Sequence, residues 1–211
     1  MLMQSLDKSS GQSRGRVSKK KLLDATSKLL AKRDSLDVSI AEISRESEVN
    51  HGLVKYHFEN KEGLLLAVLQ RDAAEAIEEL QKLLDSNRSP EEKLRLHIRG
   101  VINTYRVKPY INRLVASLQC SGMENARKLS ETFVTPLQEC QDQLLKQAAE
   151  AGLIRDTDAQ YFYFMTIGAC DFLFQSRNIL KVTIGVNDIK KNFAQSYADY
   201  IVDTLLRGLS R

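Results

Sequence analysis

The chain has few of the features that mark several structural classes. Only three prolines occur among its 211 residues, and the alternation of β-branched and polar residues that is typical of strands is nearly absent. We therefore predict an all-α fold. No apolar run reaches the roughly 18–20 residues that a helix needs to span a bilayer, so we expect no membrane partner. The first residues also lack the apolar segment of a secretion signal.

Cysteine is scarce as well. Cys120, Cys140 and Cys170 are odd in number and far apart, which argues against a disulfide framework and for a reducing compartment, so we expect a cytoplasmic protein. Redox sensing stays open, although no basic neighbour is seen that would lower a thiol pKa. Neither the cysteines nor the three histidines have metal-site spacing, and no nucleophile–base pair or glycine-rich phosphate loop is present. The sequence thus predicts no metal, no cofactor and no enzyme.

Positive charge is concentrated near the N-terminus. Residues 1–61 carry 12 Lys and Arg against 8 Asp and Glu, whereas residues 62–211 carry 19 of each. The whole net charge of +4 therefore lies in the first part of the chain. Within residues 14–33 the basic side chains are Arg14, Arg16, Lys19, Lys20, Lys21, Lys28, Lys32 and Arg33. Such a cluster is typical of a surface that faces phosphates; a solvated helix face is the alternative.

Helix start signals divide the N-terminal part. An apolar stripe at three- and four-residue steps predicts a helix from about Val17 to Arg33. Ser39 and Glu42 have the spacing of a capping box that opens a second helix. The next two helices are predicted over residues 51–58, after the N-cap Asn50, and from Asn60 to about Leu84. A helix, a tight turn around Val49 and a second short helix form the layout of a helix-turn-helix.

Similar signals recur further along the chain. Ser89 and Glu92 form a second potential capping box, with Pro90 at the first helical position, and predict a helix to about Val107. The remaining predicted helices cover residues 110–119 after Pro109, 135–152 with Pro136 near the start and Gly152 as C-cap, 158–181 and 187–207.

Individual side chains of the helix-turn-helix suit contact with DNA. Gly52, near a helix N-terminus, lets backbone amides approach a phosphate, and Tyr56, His57 and Lys61 are candidate phosphate contacts. The candidates for the major groove are Asn50, His51, Leu53 and Lys55, with Lys55 a possible partner of guanine. Ser39 completes the predicted DNA-binding set. We expect Val49, Val54 and Phe58 to hold the helices together instead.

These residues resemble the TetR family of bacterial transcriptional regulators. The resemblance rests on residues 17–70, and above all on Ile43-Ser44, the run Ser47–Phe58, Lys61 and Leu64-Leu65. Glu48 stands where the family usually has Gly. The resemblance implies a DNA-binding domain over residues 17–62. Residues 1–16 before it are rich in Ser, Gly, Gln and Arg and should form a flexible basic arm. It further implies a ligand-binding and dimerisation domain over residues 63–211.

The helix predicted over residues 158–181 contains a segment, residues 161–174, that is apolar almost all round and should be buried on more than one side. The resemblance implies that one face lines a ligand cavity and that the other joins the last helix in a dimer. Asp171 is a carboxylate inside this apolar run, so it ties helices together or binds a polar ligand group. The candidate ligand-binding residues are Tyr105, Gln119, Phe133, Met165, Asp171, Phe172 and Gln175.

The resemblance thus predicts a homodimeric repressor that binds a pseudo-palindromic double-stranded DNA operator and is released by an unknown small-molecule effector. The alternative is a DNA-binding protein of the same fold without an effector, which acts in genome organisation or division. A helical enzyme is the rival of a different class, and the missing catalytic constellations argue against it.

Overall fold

The computed structural model describes residues 4–33, 35–183, 185, 189 and 191–210, with side chains from residue 15 onward. Within these ranges the regular structure is helical and no strand occurs, so the all-α prediction is confirmed. None of the described helices is both long and apolar enough to cross a bilayer. The helices are α1 (Gln4–Arg33), α2 (Ile40–Ser47), α3 (Gly52–Phe58), α4 (Lys61–Leu84), α5 (Pro90–Val107), α6 (Ile111–Cys120), α7 (Met123–Leu129), α8 (Thr135–Glu150), α9 (Ala159–Gln175), α10 (Arg177–Thr183) and α11 (Lys191–Leu209).

The chain forms two compact units, the head (Met1–Arg71) and the body (Asp72–Arg211). The boundary lies inside α4, nine residues beyond the predicted division after residue 62. The first turns of α4 belong to the head because Arg71 donates to the carboxylate of Asp24 on α1 at 2.7 Å and to the hydroxyl of Ser27.

Helix α1 begins at Gln4, whereas the sequence predicted a start near Val17. No proline interrupts this segment, and Gly11 and Gly15 weaken a helix without breaking it. The predicted flexibility of residues 1–16 stays a prediction, and residues 1–3 lie outside the described ranges. The apolar stripe is confirmed, since Leu22, Ala25 and Leu30 are buried.

The start signals of the body are confirmed. The Ser89 hydroxyl accepts from the backbone N–H of Glu92, whose carboxylate accepts from the backbone N–H of Ser89, and α5 then runs to Val107 as predicted. Helix α8 begins at Thr135 with Pro136 in its first turn. Gly152 follows the helix with φ 72°, in the left-handed region that favours glycine at a C-terminus.

Two segments of the body differ from the prediction. Helix α7 was not predicted, and a π-helical turn (Ser130–Val134) joins it to α8. The proline at 136 has no N–H to continue the α-helical ladder, and the preceding N–H of Thr135 bonds to Ser130 O, five residues back. The helix predicted over residues 158–181 ends at Gln175, because a turn at Ser176 separates α9 from α10. The predicted start of the last helix at residue 187 lies outside the described ranges.

Helix α5 is central to the body and packs against α8, α9 and α11. Leu94, Ile98 and Ile102 repeat every four residues along it and are at most 2% exposed. Each such burial stabilises the fold by about 1.5–3 kcal/mol relative to an exposed side chain.

Two buried polar contacts fix the body part of α4. Asp72 has a buried side chain, and it accepts from the hydroxyl of Tyr110 at 2.7 Å and from Lys108 at 3.2 Å. Lys93 is also buried, and its ammonium donates to the carbonyl of Leu84 at 2.6 Å and to Gln147 at 2.9 Å. A cation at the last carbonyls of a helix is favourable because it opposes the helix dipole. These contacts tie α4 to α5, α8 and the turn before α6.

Candidate DNA-binding surface and ligand site

The capping box predicted at Ser39 begins α2. The Ser39 hydroxyl accepts from the backbone N–H of Glu42 at 3.2 Å, and the Ser39 backbone N–H donates to the Glu42 carboxylate at 2.9 Å. Arg33 of α1 donates to the same carboxylate through both terminal nitrogens. The hydrogen bonds from Arg33 and then from Ser39 lower the pKa of Glu42 to about 2. Ser39 is exposed, so its DNA contact stays a prediction beside its capping role.

The turn between α2 and α3 is sharp because Glu48 adopts the left-handed conformation, with φ 56° and ψ 31°. Its backbone N–H and that of Val49 both donate to Ser44 O. Val49 is 8% exposed, which confirms its predicted packing role.

Helix α3 begins one residue later than predicted, at Gly52, whose backbone N–H donates to the side-chain oxygen of Asn50 at 2.9 Å. A Cβ at this glycine would lie 3.3 Å from that oxygen, so the close cap favours Gly. Val54 and Phe58 are 1% and 7% exposed, which confirms that they hold α3 in the head.

The opposite face of α3 is open. The Tyr56 side chain is 78% exposed, although tyrosine side chains are usually at least partly buried in a folded domain. The exposed predicted DNA contacts on the same segment are Asn50, His51, Gly52 and Lys55, and Leu53 is half-buried beside them. The head therefore presents aromatic, amide, imidazole and ammonium groups together on one short helix and its N-terminal turn.

His57 differs from these residues because it is half-buried and engaged inside the head. Its Nε2 lies 2.8 Å from the hydroxyl oxygen of Ser18 on α1, and that hydroxyl donates to Gly15 O. Since a hydroxyl has one proton, the ring donates to Ser18 from Nε2. Burial, and then the charge of Lys19, lower the pKa of His57. The predicted phosphate contact stays a prediction and requires that this hydrogen bond opens.

Lys61 is half-buried in the first turn of α4, where the side-chain oxygen of Asn60 caps the helix by accepting from the Gly63 N–H at 2.8 Å. A Cβ at Gly63 would lie 2.1 Å from the carbonyl oxygen of Phe58. The end of α3 and the start of α4 are therefore held against each other at a position that accepts only glycine.

The basic cluster of α1 is partly neutralised within the head. Lys28 pairs with Glu46 at 2.5 Å, and Arg33 pairs with Glu42. Lys19 lies 5.7 Å from the centre of the Phe58 ring, where a cation is attracted to the aromatic face. The cluster thus stabilises the packing of α1 on α2 and α3 as well as adding positive charge to the surface.

The predicted ligand-binding residues are spread over several environments. Tyr105 is buried, Phe133 and Asp171 are half-buried, and Gln119 is exposed on α6. Met165, Phe172 and Gln175 lie on an exposed face of α9 rather than in the interior. The structure brings two of the seven into direct contact, since Gln175 donates to Asp171 Oδ2.

Some buried polar atoms of the body have no hydrogen-bond partner within the described chain. Among the residues described, four side-chain oxygens of the body are buried without a hydrogen bond: Asn112 Oδ1, Gln141 Oε1, Thr166 Oγ1 and Asp171 Oδ1. Leaving one such group unsatisfied costs about 1–3 kcal/mol, so a bound molecule or water that satisfies them is favoured. The sequence reasoning identified Asp171 but missed the other three residues. Thr166, a hydroxyl between the apolar residues Met165 and Ile167, has a signal in the sequence, whereas Asn112 and Gln141 each stand beside a charged residue and have none.

Comparison with known proteins agrees with this architecture. The model of the bacterial regulatory proteins of the tetR family matches residues 22–68. The model of the tetracyclin repressor-like C-terminal domain matches residues 87–211, which is more than half of the chain. The chain belongs to the TetR family.

Among curated TetR relatives, the transcriptional repressor NicS of Pseudomonas putida is 26% identical over 197 residues, which cover 90% of this chain and 91% of NicS. Solved structures share the fold. FadR from Bacillus subtilis in complex with stearoyl-CoA superposes with a TM-score of 0.72 at 18% identity, covering 90% of this chain and 98% of FadR. RolR in complex with resorcinol gives 0.59 at 16% identity, covering 92% and 89%.

Membership of the TetR family makes the chain a DNA-binding transcriptional regulator, as the helix-turn-helix residues predicted. The head carries the helix-turn-helix, and the body is the TetR C-terminal domain. The groups of three or more His, Cys, Asp or Glu side chains that hold metal ions do not occur in the described part of this TetR chain.

Proposed function

We propose that this TetR-family regulator is a repressor that binds a pseudo-palindromic operator as a homodimer and is released by a small-molecule effector. The single observation that supports the operator contact is the open face of α3. Tyr56, Lys55 and Asn50 are exposed there, while Val54 and Phe58 anchor the helix from behind. A short helix held in this way presents its outer side chains to the major groove, and two heads of a dimer read half-sites about 34–36 Å apart.

Operator binding is tested on duplexes selected by the wild-type protein from a random pool. We expect Lys55→Ala and Tyr56→Ala to weaken binding by about 5- to 150-fold for each head, because each loses about 1–3 kcal/mol of base or phosphate contact. The control is Lys181→Ala, which removes an exposed lysine of the body. Helical content by circular dichroism and the mass in solution should be unchanged in all three variants. Wild-type affinity of both α3 variants would refute the α3 assignment.

The salt dependence of binding tests the contribution of phosphate contacts separately. Affinity should fall steeply as salt rises, because Lys and Arg displace counterions from the duplex. Lys61→Ala should reduce the slope of log K against log salt by about 1 for each head that contacts the duplex. A flat salt response would exclude the basic surface from the interface.

The exposed face of α9 supports the homodimer. Tyr161, Phe164 and Phe172 are 76%, 70% and 69% exposed on one stripe of this helix, and Tyr200 of α11 is 69% exposed. A large exposed aromatic surface is typical of a protein–protein interface. A second copy is the occupant we propose because the TetR resemblance pairs these two helices across a dimer.

The dimer is tested by analytical ultracentrifugation. The wild type should sediment at twice the chain mass of 23.9 kDa, and Phe164→Glu should shift it toward the monomer, because a charge placed in an apolar interface is desolvated without a partner. The matched control is Met123→Glu, at an apolar residue of α7 that is 83% exposed. A monomeric wild type, or a Phe164→Glu dimer of unchanged stability, would contradict the proposal.

Release by an effector is supported by the unsatisfied polar atoms of the body, which a sealed apolar core would lack. The complexes of FadR with stearoyl-CoA and of RolR with resorcinol are further support from the same fold. If the proposal is right, the small-molecule fraction of a cell extract should contain the effector and release the operator in a gel shift. By linkage, an effector that weakens operator binding must itself bind less tightly to the operator-bound protein, by the same factor. The effector-independent alternative predicts no release.

A further inference from the structure

Asp171 is a carboxylate without a cation. Its Oδ2 accepts from Gln175, while its Oδ1 is buried and has no hydrogen-bond partner among the described residues. Burial is the largest influence on the pKa of Asp171 and raises it above the usual value, while the smaller influences of the Gln175 and Asn112 side chains, through hydrogen bonds, lower it. No basic side chain is among them. A partly buried carboxylate is normally paired, and a cation beside it would favour its ionised form.

Asn112 provides a second unused acceptor next to this carboxylate. The side chain of Asn112 is 6% exposed, and its Oδ1 is buried without a partner. Asn112 lies close enough to Asp171 to affect its pKa through a hydrogen bond. Asn112 on α6 and Asp171 on α9 therefore interact through a side-chain hydrogen bond, and each keeps a further oxygen that has no partner among the described residues.

Two buried tyrosines are within electrostatic range of the same carboxylate. The hydroxyl of Tyr105 is buried, and its pKa is raised first by burial and then by the charge of Asp171. The Tyr105 ring meets Phe174 edge to face, with centroids 6.1 Å apart. Tyr163 is also within electrostatic range of Asp171. Aromatic faces attract cations, and they pack against the apolar part of an organic molecule.

We propose that Asp171, Asn112 and Tyr105 form a recognition site for an organic cation that carries N–H donors, such as a protonated amine. The ammonium group would pair with Asp171 Oδ1 and donate to Asn112 Oδ1, while its hydrocarbon part packs on the aromatic rings. This assignment rests on the effector function proposed above and names the chemical class of the effector.

Other occupants fit this position less well. An anion would be repelled by Asp171, and an alcohol would satisfy an acceptor but leave the charge unpaired. A metal ion needs several ligating side chains, and no group of three candidates exists in the parts of the chain that the structure describes. Water alone would satisfy the two oxygens, but it would give the protein no preference for the amine over the alcohol. The experiment below distinguishes these two cases.

The test uses three probes with the same ring and different charges: benzylammonium, benzyl alcohol and benzoate. Affinities are measured on the full-length wild type by ligand-observed NMR titration. We expect benzylammonium to bind roughly tenfold more tightly than benzyl alcohol, because hydrogen bonds between charged groups are stronger than neutral ones, and benzoate to bind most weakly. Equal affinities of the amine and the alcohol, or no binding of the amine, would overturn the assignment without any variant being made.

Variants then locate the preference. In Asp171→Asn the preference for benzylammonium over benzyl alcohol should disappear, whereas Asp156→Asn, which neutralises an exposed acid of the body, should keep it. Circular dichroism confirms that both variants are folded. If a folded Asp171→Asn protein still prefers the amine, the cation binds elsewhere and the proposal is wrong.

A gel shift with the operator duplex separates this inference from the proposed function. Amine binding that depends on Asp171 but does not release the operator would leave the cation site intact and contradict its role as the effector site. Release by a molecule that binds equally well to Asp171→Asn would support the effector function and contradict the assignment of its effector to the cation class.

Discussion

Replacement of Glu48 by Gly should stabilise the head. Glu48 ends α2 in the left-handed region, with φ 56° and ψ 31°, and its side chain is exposed. A residue with a Cβ loses about 1–2 kcal/mol in this conformation, whereas glycine adopts it freely. Glycine also loses more backbone entropy on folding, by roughly 0.5–1 kcal/mol. The balance predicts that Glu48→Gly raises the free energy of unfolding by about 0.5–1 kcal/mol.

Two matched variants separate backbone strain from charge. Glu48→Gln removes the charge and keeps the Cβ, and Glu48→Ala keeps the Cβ with a minimal side chain. Neither variant should therefore show the gain in stability that comes from removing the Cβ. DNA affinity, in contrast, should rise in all three variants, because each removes a negative charge beside the turn. At about 10 Å from a phosphate in water this charge costs roughly 0.4 kcal/mol, or about twofold in affinity for each head.

The free energy of unfolding is measured by urea denaturation monitored by circular dichroism, and Tm is measured by thermal melting. A gain of 0.5–1 kcal/mol corresponds to a rise in Tm of about 1–4 °C for a chain of this size. The reasoning is refuted if Glu48→Gly is no more stable than Glu48→Gln and Glu48→Ala at an unchanged m-value. Equal DNA affinity of the wild type and all three variants would refute the argument that the Glu48 charge weakens DNA binding, and would leave the stability argument untouched.

Three further outcomes are expected. Gly63→Ala should destabilise the head by roughly 1–3 kcal/mol, because its Cβ would lie 2.1 Å from a backbone oxygen. Gly100→Ala in α5, where a Cβ would have nothing within 4 Å, should stabilise the body by about 1 kcal/mol. Urea unfolding that shows a change of the same sign for both variants would contradict this reasoning. Tyr110→Phe should cost about 1–3 kcal/mol in the same assay, since the buried carboxylate of Asp72 loses a donor. Burial lowers the pKa of His97 to about 4, so stability should fall by about 1.4 kcal/mol per pH unit as pH drops from 6.5 toward 4, where only the unfolded chain takes up the proton. Unfolding curves of His97→Gln should show a shallower pH dependence, and an identical one would exclude this role for His97.

Local patterns in the sequence predicted much of the helical structure correctly. In the head, the capping box at Ser39, the helix around Gly52 and the inward side chains Val54 and Phe58 appear in the structure, and in the body the capping box at Ser89 does. Capping depends on residues three positions apart, and the buried face of a helix follows from its period. Such information lies within a few residues of chain, so it can be read without knowing the tertiary fold.

Contacts between distant residues could not be predicted in this way. The hydrogen bond of His57 to Ser18, which links α3 to α1, joins residues 39 positions apart, and no local pattern indicated it. Met165 and Phe172 belong to an apolar helix, and only packing against α5 and α8 decided which of its faces stayed exposed.

The amino-acid sequence by itself determined that the chain is helical, where most helices begin, and that it carries the helix-turn-helix of a TetR regulator. Tertiary structure alone decided that Asp171 lies beside Asn112 with two unused acceptor oxygens. The physical reason is that the periodicity of a helix shows which face is apolar but not which helix packs against that face. Whether a polar atom finds a hydrogen bond depends on side chains that approach from helices far away in the sequence.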